Sequence, residues 1–172
     1  MSTTTWTLDP SHSELGFSVK HMMFTKVNGT FDAFEASLES NDDFTAATLK
    51  GKITVASVNT RNEQRDGHLK SPDFFDVESF PTIEFNADNV SLTSGKVNGE
   101  LTLRGVSKPV ELHLDFHGTG KDPWGNTKAG VSFETKINRK DFGLNWNAAL
   151  EAGGVLVGEE VTIRGEMQFA QS

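Results

Sequence analysis

Apolar and polar residues alternate along most of this chain. Between residues 14 and 20, Leu15, Phe17 and Val19 are separated by polar residues or glycine. Because successive side chains of a β-strand point to opposite faces, such a run predicts a strand with one buried face. About eight strands are expected in total. The other runs cover residues 53–55, 83–87, 97–103, 110–117, 129–137 and 161–169, and a further strand is expected around Phe31, Phe34 and Leu38.

Residues typical of turns separate these runs. They are Asn28-Gly29, Ser94-Gly95, Ser107-Lys108-Pro109, residues 122–126 and Gly153-Gly154. Short strands joined by tight turns predict an antiparallel meander. About eight such strands close into a barrel whose interior is filled by side chains or holds one small ligand. We therefore expect an all-β fold in which residues 1–172 form a single barrel domain.

Residues 60–76 interrupt the alternation. Residues 62–66 are Asn, Glu, Gln, Arg and Asp, none of which favours strands. Ser71-Pro72-Asp73 follows in the order of an N-cap, a first-turn proline and a first-turn acid. One or two short helices are therefore expected here, next to the aromatic pair Phe74-Phe75.

The composition characterises the interior and excludes several partners. There are 13 Phe, 3 Trp and no Tyr. A Phe ring buries apolar area without a hydroxyl that needs a partner, so the interior is expected to be large and dry, either as an ordinary core or as the wall of an apolar cavity. The formal net charge of -8 disfavours nucleic acid and anionic membrane surfaces as partners. The absence of cysteine excludes disulfides and thiolate chemistry.

The N-terminal residues bear on the location of the protein. Residues 1–6 are polar and rich in Thr, and they lack the basic and apolar regions of a secretory signal. No window approaches the roughly 20 apolar residues of a membrane span. We expect a cytoplasmic protein that does not span the membrane, or a periplasmic or secreted one if a leader has been removed.

Several sequence blocks resemble the YceI-like polyisoprenoid-binding family. The first is Trp6-Thr7-Leu8-Asp9-Pro10-Ser11-His12-Ser13, and another is Asn59-Thr60-Arg61-Asn62-Glu63-Gln64-Arg65-Asp66-Gly67-His68-Leu69. The remaining blocks are residues 17–21, 71–77, 80–85, 99–106, 108–110, 138–144, 146–147 and 157–161. They run in order through nearly the whole chain, which makes the resemblance specific.

The resemblance implies a fold and a function. It implies a lipocalin-like, extended antiparallel barrel whose pore holds a long isoprenoid or similar lipid, such as an isoprenoid quinone or a polyprenyl precursor, often in a homodimer. It implies no catalytic residue and no cofactor. We accordingly expect non-enzymatic binding, storage or transport of such a lipid. The alternatives are an enzyme that acts on a hydrophobic substrate in the same pore and a ligand-free, stress-related barrel.

The alternation and the resemblance together give the candidate site. A lipid pore and a solid core share the same alternation, so it is the resemblance that favours a pore. Inward-facing residues are expected to form the pore wall: Phe17, Val19, Phe31, Phe85, Leu101, Leu103, Leu112, Leu114, Phe133, Ile137 and Trp146. Five residues are expected to form its mouth or lid: His21, Arg65, His68, Phe74 and Phe75.

The polar residues of the mouth have two interpretations. A guanidinium and an imidazole suit a polar head group, which would involve Arg65 and His68. The structural alternative is an ion pair between Arg65 and Asp66 and a capping contact of His68. The sequence leaves open whether His68 converges with His12 and His21.

No metal site is expected. Asp9, His12 and His21 would suit a metal ion only if they met, and a His near a strand end more often satisfies a backbone carbonyl. His113 and His117 lie about 13 Å apart along a strand, which is too far for one zinc ion, whose bonds to nitrogen are about 2.0–2.1 Å. Both are expected on the solvated outer face of the barrel.

Overall fold

Strands form most of the structure. The computed structural model describes residues 3–22, 24–147 and 156–172. Within these residues the chain forms eleven β-strands, one α-helix and three short 3-10 helices. The strands are β1 (Thr4–Leu8), β2 (Glu14–His21), β3 (Thr25–Phe31), β4 (Phe34–Ser40), β5 (Ala47–Thr54), β6 (Val58–Asn59), β7 (Thr82–Val90), β8 (Lys96–Leu103), β9 (Val106–Lys121), β10 (Thr127–Asn138) and β11 (Val157–Gln171). The α-helix is α1 (Glu63–Lys70), and the 3-10 helices are Pro10–His12, Val55–Ser57 and Arg139–Phe142.

Eight of these strands close into an antiparallel barrel. In the order β1, β4, β5, β7, β8, β9, β10 and β11, each strand pairs with the next, and β11 pairs back with β1. One edge of β11 serves two strands, since residues 169–171 pair with β1 and residues 157–166 pair with β2. From that edge the sheet continues through β2, β3 and β6. The predicted all-β, antiparallel barrel is therefore confirmed, with three strands beyond the ring of eight.

The region between β2 and β5 differs from the prediction. The strand expected at residues 31–38 is two strands, β3 and β4, separated at residues 32–33. The turn expected at Asn28-Gly29 is wrong, because both residues lie inside β3. Gly29 is there the direct cross-strand partner of Phe17 in β2.

A second turn lies earlier in the chain than expected. Ser107-Lys108-Pro109 belongs to β9, and the chain turns at Arg104-Gly105, whose φ angles are 51° and 73°. Two successive positive φ angles give the type I′ turn that matches the twist of a hairpin. The proline is tolerated because β10 pairs only with the later part of β9. The turns at Ser94-Gly95 and at residues 122–126 are confirmed, and Gly153-Gly154 lies outside the described residues.

One short helix occupies the interruption of the strand pattern. The side chain of Asn62 caps α1 by accepting a hydrogen bond from the backbone nitrogen of Arg65 at 3.0 Å. Glu63 lies in the first turn, where the helix dipole favours an acid. Ser71 is the C-cap of the helix, so Ser71-Pro72-Asp73 forms a turn and does not start a second helix. No helix in the described residues is long and apolar enough to cross a membrane.

Buried apolar side chains form two clusters, one toward each end of the barrel. The first, which we call the closed-end core, is built around Trp6, Leu38, Phe44, Leu92 and Phe169. The second, the helix-end core, lies beside α1 and includes Phe31, Val55, Phe74, Phe142 and Leu144.

Candidate functional site

A cavity of about 530 Å³ lies inside the barrel. Its wall is formed by residues of β2 to β5 and β7 to β11, most of them aliphatic or aromatic. Leu38, Leu92 and Phe169 of the closed-end core also line it, so that core forms its floor. Small-molecule sites usually have volumes of about 300–1,000 Å³ and mostly apolar walls. The cavity therefore has the size and the lining of a site for an apolar ligand.

The structure places nearly all of the predicted site residues at this cavity. Every predicted wall residue except Leu114 lines it, and so do all five predicted mouth or lid residues. Leu114 is 2% exposed and packs within the closed-end core, so it belongs to the core and not to the wall. The wall residues that line the cavity are Phe17, Val19, Phe31, Phe85, Leu101, Leu103, Leu112, Phe133, Ile137 and Trp146. The others are His21, Arg65, His68, Phe74 and Phe75.

Three phenylalanine rings of the wall lie over glycines of the neighbouring strand. A Cβ atom built on Gly29 would lie 2.4 Å from the ring of Phe17, and one built on Gly165 would lie 2.5 Å from the ring of Phe133. Gly99 has the same relationship with Phe85, at 2.4 Å. Each ring therefore occupies the space of the missing side chain and lies against the wall. This arrangement keeps the interior wider than it would be if the rings projected across it.

The buried polar groups of the wall are occupied by hydrogen bonds. The hydroxyl of Thr135 donates to the backbone oxygen of Glu111 at 2.8 Å. The guanidinium of Arg139, which is 3% exposed, donates to four backbone oxygens at 2.6–3.3 Å. Burial lowers the pKa of Arg139, and the charge of Glu159 partly opposes that shift. The oxygens belong to Leu144, Trp146, Val157 and Gly158.

Exposed polar residues lie where the cavity reaches solvent. We define the mouth as six of the polar residues that line the cavity: Lys20, His21, Glu35, Lys52, Asn62 and Gln64, which come from β2, β4, β5 and the start of α1. All of them are exposed except His21, which is half-buried. The mouth therefore differs in chemistry from the buried wall, because it offers hydrogen-bond donors and acceptors beside water.

Arg65 and Asp66 both bind Thr60 and do not form the ion pair considered from the sequence. The guanidinium of Arg65 donates to the hydroxyl and to the backbone oxygen of Thr60, each at 2.8 Å. The carboxylate of Asp66 accepts hydrogen bonds from the backbone nitrogen and the hydroxyl of the same residue. Thr60 is buried, so these contacts anchor α1 to the strand that precedes it.

Aromatic side chains cover the cavity next to α1. His68, Phe74 and Trp146 form a group that we call the aromatic cluster, with ring centroids 4.7–5.3 Å apart. His68 also forms a hydrogen bond of 2.9 Å with Asp73. Phe75 contacts the ring of Phe31, with centroids 5.9 Å apart. Both aromatic residues of the predicted lid are therefore held by other rings at the cavity.

The histidines do not all converge. His21 and His68 line the cavity, whereas His12 bonds to the carboxylate of Asp9 at 3.0 Å and does not line it. His113 and His117 are exposed, as expected for the outer face. Among the described residues, no group of three or more His, Cys, Asp or Glu side chains is arranged to hold a metal ion.

Two features of the site were missed from the sequence. The carbonyl contacts of Arg139 depend on a chain path that no local pattern indicates. The glycines did carry a signal, because Gly29, Gly99 and Gly165 each occupy an inward position in an otherwise alternating apolar run. A glycine at such a position weakens a strand unless another group fills its place.

The fold and the cavity define a class of protein, namely an antiparallel β-barrel that encloses an apolar cavity with a packed floor. Comparison with known proteins gives the family. Residues 6–169 match the YceI-like domain, and the chain belongs to this family.

The chain is similar to proteins from several bacteria. The UPF0312 protein SA2479 of Staphylococcus aureus (strain N315) is 40% identical over 171 residues, which cover 98% of this chain and 99% of that protein. The crystal structure of the Campylobacter jejuni YceI protein matches with 29% identity and a TM-score of 0.74, covering 89% of this chain and 90% of that one. A polyisoprenoid binding domain from Saccharophagus degradans matches with a TM-score of 0.72, covering 97% and 98% of the two chains. At 15% identity, this last likeness shows the fold alone.

Proposed function

We propose that this protein binds a long-chain isoprenoid lipid, such as an isoprenoid quinone or a polyprenyl precursor, and stores or transports it without chemical change. The observation that carries the proposal is the apolar cavity of about 530 Å³ inside a YceI-like barrel. The polyisoprenoid binding domain of Saccharophagus degradans, which shares the fold, supports this choice of ligand.

The wall chemistry favours a hydrocarbon chain. Each buried methylene contributes about 0.8 kcal/mol, so a chain of several isoprene units binds without any polar contact. A polar ligand would gain little from Thr135 and Arg139, because backbone oxygens already accept hydrogen bonds from both. A site of this kind selects its ligand mainly by length and cross-section.

The mouth suits the polar end of such a lipid. Lys20, Asn62 and Gln64 carry donors that match the carbonyl oxygens of a quinone or the oxygens of a phosphate. With the chain in the apolar interior, the head group lies among these residues and keeps its contact with water.

The arrangement of polar groups supports binding without catalysis. Among the described residues that line the cavity, the buried polar side chains are Thr135 and Arg139, and both donate to backbone oxygens. Two further polar residues that line the cavity are also engaged, Arg65 with Thr60 and His68 with Asp73. The homodimer and the cytoplasmic location stay predictions, which light scattering and cell fractionation test.

Ligand extraction tests the proposal directly. Organic extraction of natively purified protein, followed by mass spectrometry, is expected to release a prenyl lipid in stoichiometric amount. Titration of the stripped protein with prenyl lipids is expected to saturate at one site. Protein that carries no lipid and also refuses added prenyl lipids would refute the proposal.

A matched pair of variants locates the site. Ala36 lines the cavity, whereas Ser37, the next residue of β4, is exposed. Ala36→Trp is expected to fill the cavity and abolish binding, and Ser37→Trp is expected to bind as the unmodified protein does. Equal binding by both variants would place the ligand elsewhere.

A further inference from the structure

The β2–β3 hairpin ends in exposed apolar side chains. Phe24 is 86% exposed, more than any other large apolar residue described, and Met22 of the same turn is 39% exposed. The backbone nitrogen of Met22 donates to the oxygen of Leu156 at 2.8 Å, and that of Phe24 donates to His21 at 3.2 Å. The backbone nitrogens of Met22 and Phe24 are thus both hydrogen-bonded, while the side chain of Phe24 projects into solvent. Single exposed apolar residues are common on protein surfaces, so Phe24 indicates a binding surface only if the residues around it support one.

Two lysines flank these side chains, and neither has a counterion among the described residues. Lys20 and Lys26 are direct cross-strand partners and are both exposed. None of the ion pairs among the described residues includes either of them. Like charges directly opposite each other destabilise a strand pair. An anionic surface placed against the hairpin would relieve this repulsion.

The hairpin is continuous with the mouth of the cavity. Lys20 and His21 are themselves mouth residues, and Val19 and Val27 beside them line the cavity. The exposed phenylalanine therefore lies at the end of the barrel through which a ligand enters. A surface that binds this hairpin faces the opening of the cavity.

We propose that the β2–β3 hairpin docks the protein on an anionic lipid bilayer. An exposed phenylalanine at the end of a hairpin that carries a lysine on each strand matches the boundary of a bilayer, where the ring enters the acyl region and the ammonium groups reach the phosphates. The net charge of -8 repels an anionic membrane from the protein as a whole, and the lysine pair beside Phe24 offsets that repulsion at this hairpin. The docking surface goes beyond the proposed lipid binding and does not require a ligand in the cavity.

Vesicle sedimentation tests the docking surface. Stripped protein is expected to sediment with vesicles of phosphatidylcholine and phosphatidylglycerol, and not with vesicles of phosphatidylcholine alone. Phe24→Ser is expected to weaken binding roughly tenfold or more, because the variant has no apolar ring to transfer from water into the bilayer. Lys20→Gln and Lys26→Gln are each expected to weaken it roughly fivefold. The matched control is Trp124→Ser, which removes a side chain that is 82% exposed in the β9–β10 turn and should leave binding unchanged.

Three results would overturn the docking proposal. The first is a protein that binds neither kind of vesicle, and the second is a Phe24→Ser variant that binds as well as the unmodified protein. The third is a dimer that Phe24→Ser converts to a monomer in light scattering without any effect on vesicle binding, which would make the hairpin a contact between two copies. Prenyl-lipid titration of Phe24→Ser in solution keeps the two proposals separate, since Phe24 does not line the cavity and its loss should leave that binding intact.

Discussion

The ring of Phe133 occupies the place of the side chain that Gly165 lacks. The two residues are direct cross-strand partners in β10 and β11, and a Cβ atom on the glycine would lie 2.5 Å from the ring. Gly165 is buried, so the ring cannot move outward to make room. The width of the barrel interior at this level therefore depends on the absence of one methyl group at Gly165.

Gly165→Ala is expected to push the ring of Phe133 into the cavity and to weaken prenyl-lipid binding. Overpacking of this kind costs about 1–3 kcal/mol of folding stability. Ligand titration and urea unfolding measure the two effects. The control is Gly120→Ala in β9, where a Cβ atom would meet nothing within 4 Å, and both quantities should stay unchanged there.

A second substitution tests whether the displaced ring of Phe133 is what weakens binding. Phe133→Leu in the Gly165→Ala background shortens the displaced side chain and is expected to restore binding. If the double variant binds as poorly as Gly165→Ala alone, the ring does not set the width of the cavity.

Arg139→Met is expected to destabilise the fold by about 3 kcal/mol or more. The substitution leaves backbone oxygens that now accept from the guanidinium without a donor, and each unsatisfied buried polar group costs about 1–3 kcal/mol. Urea unfolding gives the free energy of unfolding, and hydrogen exchange should show a loss of amide protection first in residues 139–147. Arg164→Met is the control, because that side chain is 57% exposed and lies 3.7 Å from Glu134; a change within about 0.5 kcal/mol is expected. Equal effects of the two substitutions would argue against a structural role for the carbonyl contacts.

The stability of the protein is expected to depend on pH through Asp9. Hydrogen bonds from Ser11, His12 and Lys128 hold the pKa of this carboxyl well below its usual value of about 3.9. A lowered pKa in the folded state adds stability above the unfolded-state value, and that stability is lost as the pH falls through the folded-state value.

Asp9→Asn is therefore expected to melt at a lower temperature than the unmodified protein at pH 7. The difference should hold down to about pH 5 and shrink below about pH 4. Thermal melts over this range measure it, with Asp42→Asn, at an exposed loop position, as the control. A difference between the melting temperatures that grows as the pH falls would contradict the assignment.

Phe74→Ala is expected to speed the release of a bound lipid. Phe74 is 8% exposed and contacts both His68 and Trp146 in the aromatic cluster, so its loss opens the cover of the cavity. Truncation of a buried phenylalanine also costs about 3–5 kcal/mol of stability, so release is compared with that of Leu114→Ala, a truncation in the closed-end core. Stopped-flow transfer of the lipid to acceptor vesicles measures the rate. Equal release rates from the two variants would show that stability, and not the cover, controls release.

Much of the fold was predictable because a strand with one buried face shows a local alternation of apolar and polar residues. The run around Val131 and Phe133 predicted β10, and the number of strands together with the resemblance to the YceI-like family predicted the closed barrel. Local patterns did not find β3, because Asn28-Gly29 has the composition of a turn and only the pairing of Gly29 with Phe17 shows that it lies in a strand. They also joined the end of β3 to β4, which are separated at residues 32–33.

The candidate site was less predictable than the fold because its details depend on register. Leu112 and Leu114 share one face of β9, yet only Leu112 lines the cavity. Arg65 and Asp66 are adjacent in sequence and both bind Thr60, a contact that requires the bend before α1. Such facts follow from pairing between distant parts of the chain, which alternation alone does not specify.

The packed floor of the cavity gives the proposed transport a direction. Leu38 and Phe169 close the barrel opposite the mouth, with Trp6 and Phe44 packed in the same core. A lipid that enters tail first must leave head first along the same path. In the proposed transport, the head group thus stays at the opening throughout, and a receiving membrane or enzyme would meet the polar end before the chain has left the protein.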